Sequence, residues 1–255
     1  MKGNAIFYHM YCINNFKELF NKSFDKIKTS GLYDQVQAIH VTVMLCGVGK
    51  HANLVKEQNI DKLDEHALKN SPEKLNEITD WLSTKSSKIT ITSYTDLDEL
   101  DEQCRLGNEL VTLRHIYNHK EKYKNILYLH SKGVTLPDNI NVQHWVNYME
   151  HFTINNWETC MRLLEEYDTC GVELRNAPMK HYSGNFWWVS TKYLNNHVYP
   201  DSTNSTIEKW RYHPRRYSEF WLHDTPEQIC NPVCMNNVGH RDLYKAVEGL
   251  CKYSA

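Results

Sequence analysis

The sequence predicts a single α/β domain built on a mostly parallel central sheet flanked by helices. Two observations carry this. Through residues 1–135, four short β-branched and aromatic runs alternate with amphipathic segments, the pattern of strands joined by helical crossovers. The chain, with 255 residues of which 41% are hydrophobic and 24% charged, can also bury one sizeable core.

The elements follow in order. "AIFYHMY" (5–11) reads as a strand. After Asn14 and Asn15 comes an amphipathic helix in which Phe16, Leu19, Phe20, Phe24 and Ile27 share a face. "VQAIHVTVMLCG" (36–47) is a β-branched strand ended by Gly47 and Gly49, and "SPEKLNEITDWLST" is helical with Pro72 near its start. "KITITSY" (88–94) is a third strand. "DLDELDEQCRLGNELVTLRHIYNHKEKY" reads as one long helix, and "NILYL" (125–129) as a fourth strand.

The second half, 136–255, differs in texture. "HWVNYMEHFTINNWETCMRLLEEYD" (144–168) is helical and aromatic-rich, "TCGVEL" is a short strand, and "HYSGNFWWVSTKYL" (181–194) joins a polar, glycine-containing entry to an aromatic strand and a short helix. Trp187, Trp188, Trp221, Tyr182 and Tyr217 gather here. Aromatic faces beside polar donors suit the stacking of sugar rings, and equally suit an ordinary core.

Bulk properties restrict the partners. A formal charge of −2 and an isoelectric point near 6.7 leave no basic surplus, so nucleic acid and anionic membranes are poor candidates. No apolar run reaches the roughly 20 residues that span a bilayer, and the first residues lack the apolar core of a signal peptide, so a cytoplasmic protein is expected. Eight scattered cysteines read as reduced thiols. Cys230 and Cys234 in "ICNPVCM" have no second pair at zinc-site spacing.

Chemistry is expected where the fourth strand ends. In parallel sheets ligands bind outside the carboxyl ends of the strands, and there "NILYLHSKGVT" places His130, Ser131 and Lys132. A lysine ammonium can offset charge on a leaving anion; a histidine can donate to a phosphate or ligate a metal. The bland alternative is a solvated turn lysine beside a hydrogen-bonded core histidine.

The order of elements, with "YLHSKGV", "SGNFWW" and "R..SE.W", resembles GT-A-type nucleotide-sugar glycosyltransferases, more narrowly a group of polysaccharide glycosyltransferases of bacteria and large DNA viruses that is distantly similar to rhamnan-synthesis proteins. The resemblance spans nearly the whole chain and implies one GT-A-like domain, with a nucleotide-sugar half at 1–135 and an acceptor half at 136–255. It implies a nucleotide-diphosphate sugar as donor, by default a UDP-sugar, and a glycan or glycosylated acceptor. In such enzymes an Asp-x-Asp motif at the fourth strand's end holds a divalent metal, Mn or Mg, against the diphosphate. Here His130-Ser131-Lys132 stands in that place, so either Lys132 supplies the charge without metal or His130 ligates one. Asp96-Leu97-Asp98 is a literal Asp-x-Asp but opens a helix, where carboxylates cap free amides.

What the resemblance implies for other residues is as follows. Asp96 contacts the nucleoside. Arg105 reaches phosphate, unless it pairs with Asp101 or Glu109. His9 and Tyr11, which share one strand face, lie against base and ribose. Ser183, Gly184, Asn185 and Trp187 meet the donor sugar and acceptor, or else form a tight turn into a buried strand. Glu219 is the base that takes the acceptor proton in an inverting reaction, or a partner of Arg215 or Arg216. His240 is a further candidate for metal or diphosphate. Two other functions stay open: a catalytically silent carbohydrate- or nucleotide-binding protein, and a nucleotidyltransferase, which the missing Gly-rich, Lys-bearing loop after the first strand disfavours.

Overall fold

A computed structural model describes residues 2–45, 72–94, 109–211, 213–224, 230–239, 242–245 and 249–254. The first-half elements are β1 (Asn4–Tyr11), α1 (Phe16–Thr29), α2 (Leu32–Gln35), β2 (Val36–Met44), α3 (Pro72–Ser83), β3 (Ile89–Tyr94), α4 (Leu110–His119) and β4 (Asn125–His130). The second half adds α5 (Ile140–Glu150), α6 (Trp157–Leu163), β5 (Thr169–Gly171), β6 (Leu174–Arg175), β7 (His181–Tyr182), β8 (Trp187–Ser190), α7 (Thr191–Leu194), α8 (Glu208–Arg211), α9 (Pro214–Phe220) and β9 (Pro232–Cys234).

Seven strands form one sheet in the order β3-β2-β1-β4-β8-β5-β9, so both halves of the chain build the same layer. Every neighbouring pair is parallel except the two made by β8, which runs against β4 and β5. The α/β, mostly parallel architecture expected from the alternation is present. The run 144–168 is not one helix: α5 and α6 are separate, joined by a π-turn at His151–Asn155. Tertiary bonds occupy this joint, because Trp188 Nε1 donates to Thr153 O at 2.8 Å. The part of the long helix before Glu109, with Asp96, Asp98 and Arg105, lies outside the described residues, as do Gly47, Gly49 and His240.

Strand alternation divides the core. Ile6, Tyr8 and Met10 of β1 face α1 and pack with Phe20, Phe24 and Ile27, while Ala5 and Phe7 face α4 and pack with Leu110, Leu113 and Ile116. Full burial of each large side chain contributes about 1.5–3 kcal/mol, so the phenylalanine row of α1 secures that helix to the sheet. Among the described residues no helix is long and apolar enough to cross a membrane. The described cysteines, among them Cys230 and Cys234, are unpaired thiols.

Candidate functional site

The strand order reverses between β1 and β4: β2 and β3 extend from one side of β1, and β4 adds on the other. Such a switch point leaves a crevice at the strands' carboxyl ends. His9 and His130 are register partners there. Beyond them the Ser131 N–H donates to His9 O at 2.9 Å, and Ser131 Oγ accepts from the Tyr11 N–H at 2.9 Å. Ser131 is 5% exposed. It clasps the two strand ends together, so its hydroxyl oxygen is already engaged within the protein.

His9 is 3% exposed and bonds Thr112 Oγ1 of α4 through Nδ1 at 2.8 Å. It braces β1 against α4 at the floor of the crevice. Tyr11, half-buried at the end of β1, packs against both core layers.

The hub of the site is Glu109, immediately before α4. Its Oε2 accepts from the Tyr128 hydroxyl at 2.7 Å and from Asn185 Nδ2 at 2.5 Å, and its Oε1 lies 3.7 Å from His130 Nδ1. The other nitrogen of His130 donates to Gly184 O at 2.9 Å, since a carbonyl can only accept. Burial acts against the carboxylate, but the His130 and His9 rings and the Tyr128 and Asn185 donors outweigh it and hold Glu109 below the usual carboxylate range. Burial also holds His130 below the usual imidazole range, a direction that Lys132 and Arg215 reinforce and that Glu109 and Gly184 oppose. Near neutral pH the pair is therefore an ionised carboxylate facing a neutral imidazole.

The Gly184-Asn185 turn builds the opposite wall. Both residues have positive φ, +93° and +60°. A Cβ on Gly184 would sit 2.3 Å from Met149 Sδ and 3.0 Å from the Trp145 ring, so only glycine lets this turn close on α5. Asn185 is held from behind by Trp187, whose Nε1 donates to Asn185 Oδ1 at 2.7 Å; Asn185 Nδ2 in turn reaches Ser218 O of α9 at 3.4 Å. Ser183 is half-buried and bonds Glu173 O through its own N–H at 3.0 Å.

Trp187 itself is 1% exposed, and Trp188, Trp221, Tyr182 and Tyr217 are likewise buried. Of the two readings open for these aromatics, sugar platform and ordinary core, their burial fits the core. β8 is an interior strand covered on both sides, so alternation buries Trp187 against Tyr128 on one face and Trp188 on the other. Trp187 acts on the site through Asn185 and through Tyr128, the two residues that donate to Glu109.

Glu219 and Lys132 complete the cluster. Partial burial and then the charge of Glu109 raise Glu219 above the usual carboxylate range, against the pull of Lys132, Arg216 and Arg215. Arg216 Nη1 lies 3.7 Å from Glu219 Oε2, and the Glu219 side chain keeps 33% exposure, so this rim pair leaves the carboxyl open to solvent. The Lys132 ammonium lies 4.0 Å from the centre of the Trp145 ring and 5.7 Å from that of Tyr244. This cation–π seat fixes the charge at the mouth of the crevice. On the far face of the sheet a cleft of about 370 Å³ runs between α1 and α5 from His130 and Lys132 to Glu150.

The structure thus brings together His130, Lys132, Gly184, Asn185 and Glu219 from three separate stretches of chain. Glu109, the residue they converge on, was considered from the sequence only as a partner of Arg105. Its one local signal is its place before an apolar helix, where the dipole favours a carboxylate. Among the described residues no trio of His, Cys, Asp or Glu is placed to hold a metal ion.

The family described as "Domain of unknown function (DUF8361)" matches residues 49–229, the larger part of the chain, and the protein belongs to it. No curated protein matches the sequence.

Proposed function

We propose that this member of the DUF8361 family is a GT-A-like glycosyltransferase that moves a sugar from a nucleotide-diphosphate donor, a UDP-sugar in the simplest case, to a glycan or glycosylated acceptor. One observation carries the reading: an ionised carboxylate, a carboxyl poised above its usual range and a seated ammonium gather at the switch point of a parallel sheet. Glycosyl transfer needs a base for the acceptor hydroxyl, a positive group for the departing diphosphate, and polar groups for the sugar between them. Glu219 suits the first role because its raised range strengthens it as a base. Lys132 suits the second, since a fixed ammonium needs no reorganisation as charge develops. His130 and Glu109 form the polar wall, with Asn185 holding Glu109 from behind. A divalent ion bound during turnover would add Lewis-acid stabilisation of the diphosphate.

The test is hydrolysis and transfer of UDP-glucose, UDP-galactose, GDP-mannose and dTDP-rhamnose by the purified protein, with added manganese and with EDTA. Release of nucleoside diphosphate from one donor, faster with acceptor glycans, is the expected result. Survival of activity in EDTA assigns the charge role to Lys132, and its loss assigns it to a metal. No turnover and no binding of any donor overturns the reading, whereas binding without turnover makes the protein a silent carbohydrate- or nucleotide-binding member.

A further inference from the structure

The gap between Glu109 and His130 is enclosed by two acceptors. His130 commits its Nε2 proton to Gly184 O, so in the neutral ring Nδ1 carries a lone pair. That lone pair is 3.7 Å from Glu109 Oε1, an atom that also can only accept. Each group is pinned by its other atom: Glu109 Oε2 by Tyr128 and Asn185, His130 Nε2 by Gly184. Neither can turn away, and among the described residues no donor lies within hydrogen-bond distance of Nδ1 or Oε1. Solvent reaches both side chains, which keep 13% exposure at His130 and 19% at Glu109, so a guest that donates to both replaces water at two acceptors already held in place.

The surroundings select the guest. A divalent ion needs more than this pair, and among the described residues no third ligand completes a set. An ammonium would add a cation where Lys132 and Arg215 already bear on His130. A neutral guest with two O–H donors on adjacent atoms avoids both difficulties. Neighbouring hydroxyls of a sugar ring lie roughly one hydrogen-bond length apart, about 2.8 Å, so each can donate to one of the two acceptors.

We infer that Glu109 Oε1 and His130 Nδ1 together form the receptor for a vicinal diol of the sugar handled at this site, and so determine which sugar is accepted. The inference rests on the glycosyl-transfer reading for its biological setting, but its chemistry is tested without any nucleotide.

The experiment uses the full chain labelled with ¹⁵N-histidine and follows the His130 ring nitrogens by NMR. The probes are the methyl glycosides of glucose, galactose, mannose and rhamnose, each compared with its monodeoxy forms. The free protein should show His130 as the Nε2–H tautomer with a bare Nδ1. A matching glycoside should shift the Nδ1 resonance as it becomes an acceptor, and loss of either hydroxyl should weaken binding about 10- to 100-fold, the effect of leaving one acceptor unpaired beneath the bound sugar.

Glu109→Gln provides the second arm. The donors from Tyr128 and Asn185 keep the amide oxygen at the Oε2 position, so the amide NH₂ faces Nδ1 and fills the gap from within. The variant should stay folded, show Nδ1 already accepting, and give no glycoside response. An Nδ1–H tautomer, a deoxy glycoside that binds as well as its parent, no response from any glycoside, or an unchanged response in Glu109→Gln would each overturn the inference. If glycosides bind as expected while no sugar nucleotide binds or turns over, the diol receptor stands and the transfer reading falls.

Discussion

Two glutamates on opposite faces of the sheet, Glu150 buried and Glu109 partly buried, have opposite surroundings. Glu150, at the end of α5, is 1% exposed; its Oε2 takes the Lys26 ammonium at 2.6 Å and its Oε1 the Ser23 hydroxyl at 2.5 Å. Asn147 Oδ1 holds the same ammonium at 2.6 Å. Charge and hydrogen-bonding capacity are both met within the protein, and the arrangement ties α1 to α5. Glu109 is held by neutral donors on one oxygen only, and its other oxygen faces a second acceptor. Both carboxylates are at least partly withdrawn from solvent, and the degree of burial is not the main difference between them. What distinguishes them is whether the fold supplies the counter-group or leaves its place for a guest.

The largest expected effects lie at the mouth of the crevice, where Lys132 and Glu219 stand beside Glu109. Lys132→Ala should lower transfer by about two to three orders of magnitude, the usual consequence of losing one preorganised group, with little change in melting temperature, because its ammonium lies on the rim. Unchanged steady-state turnover would leave Lys132 as a cation–π partner of Trp145 and nothing more. Glu219→Gln should lower transfer at least about a hundredfold while donor affinity by calorimetry is retained. The acid limb of the pH–rate profile in the parent should lie above the ordinary carboxylate range, because the base must be ionised to act, and it should vanish in the variant.

On the other side the effect should be structural. Glu150→Ala leaves the half-buried Lys26 ammonium without its main partner and should cost about 3 kcal/mol in urea unfolding, while the folded variant keeps the parent's turnover. A large loss of turnover in the folded variant would break the comparison.

The smallest effects are tests of pH dependence. His40, His115 and His119 form a cluster with ring centroids 4.3–5.6 Å apart, packed on Phe7, with His40 Nε2 bonded to the Tyr123 hydroxyl at 2.6 Å. Burial, then the neighbouring charges, lower His40 to about 3 and His115 to about 4. Because the folded values lie below the ordinary 6.5, their neutral forms stabilise the fold above that pH. This contribution should be lost as pH falls from 6.5 towards 3. His40→Phe should flatten that acid-side decline in a melting-temperature profile. Glu219 has the opposite sign: its folded range is raised, so its protonated form stabilises the fold at acid pH and that contribution is lost as pH rises. Glu219→Gln should therefore raise the melting temperature slightly near neutral pH and not in acid.

The legibility of these regions in the sequence follows from how local each signal is. β1, β2, β3 and β4 were readable because alternation and β-branched content are properties of single segments, and "LHSKG" was readable as a strand end because the apolar run stops there. Whether the aromatics of "SGNFWW" faced a ligand or a core was not readable. That depended on β8 lying inside the sheet between β4 and β5, a pairing across distant parts of the chain. Ser131 looked like a ligand contact until the partner of its hydroxyl, the Tyr11 N–H, was known.

By itself the sequence determined the α/β class, the crossovers that make the sheet mostly parallel, and the strand end at which polar chemistry collects. Only the tertiary structure decided that Glu109 is the centre of that chemistry. Tyr128 lies 19 residues away from it in sequence, His130 21, Asn185 76 and Glu219 110. The physical reason is that a carboxylate's character depends on the donors, acceptors and charges within a few ångströms. Those neighbours are set by the reversal of strand order between β1 and β4 and by the turn that only Gly184 allows to close on α5, not by the residues beside Glu109 in the chain.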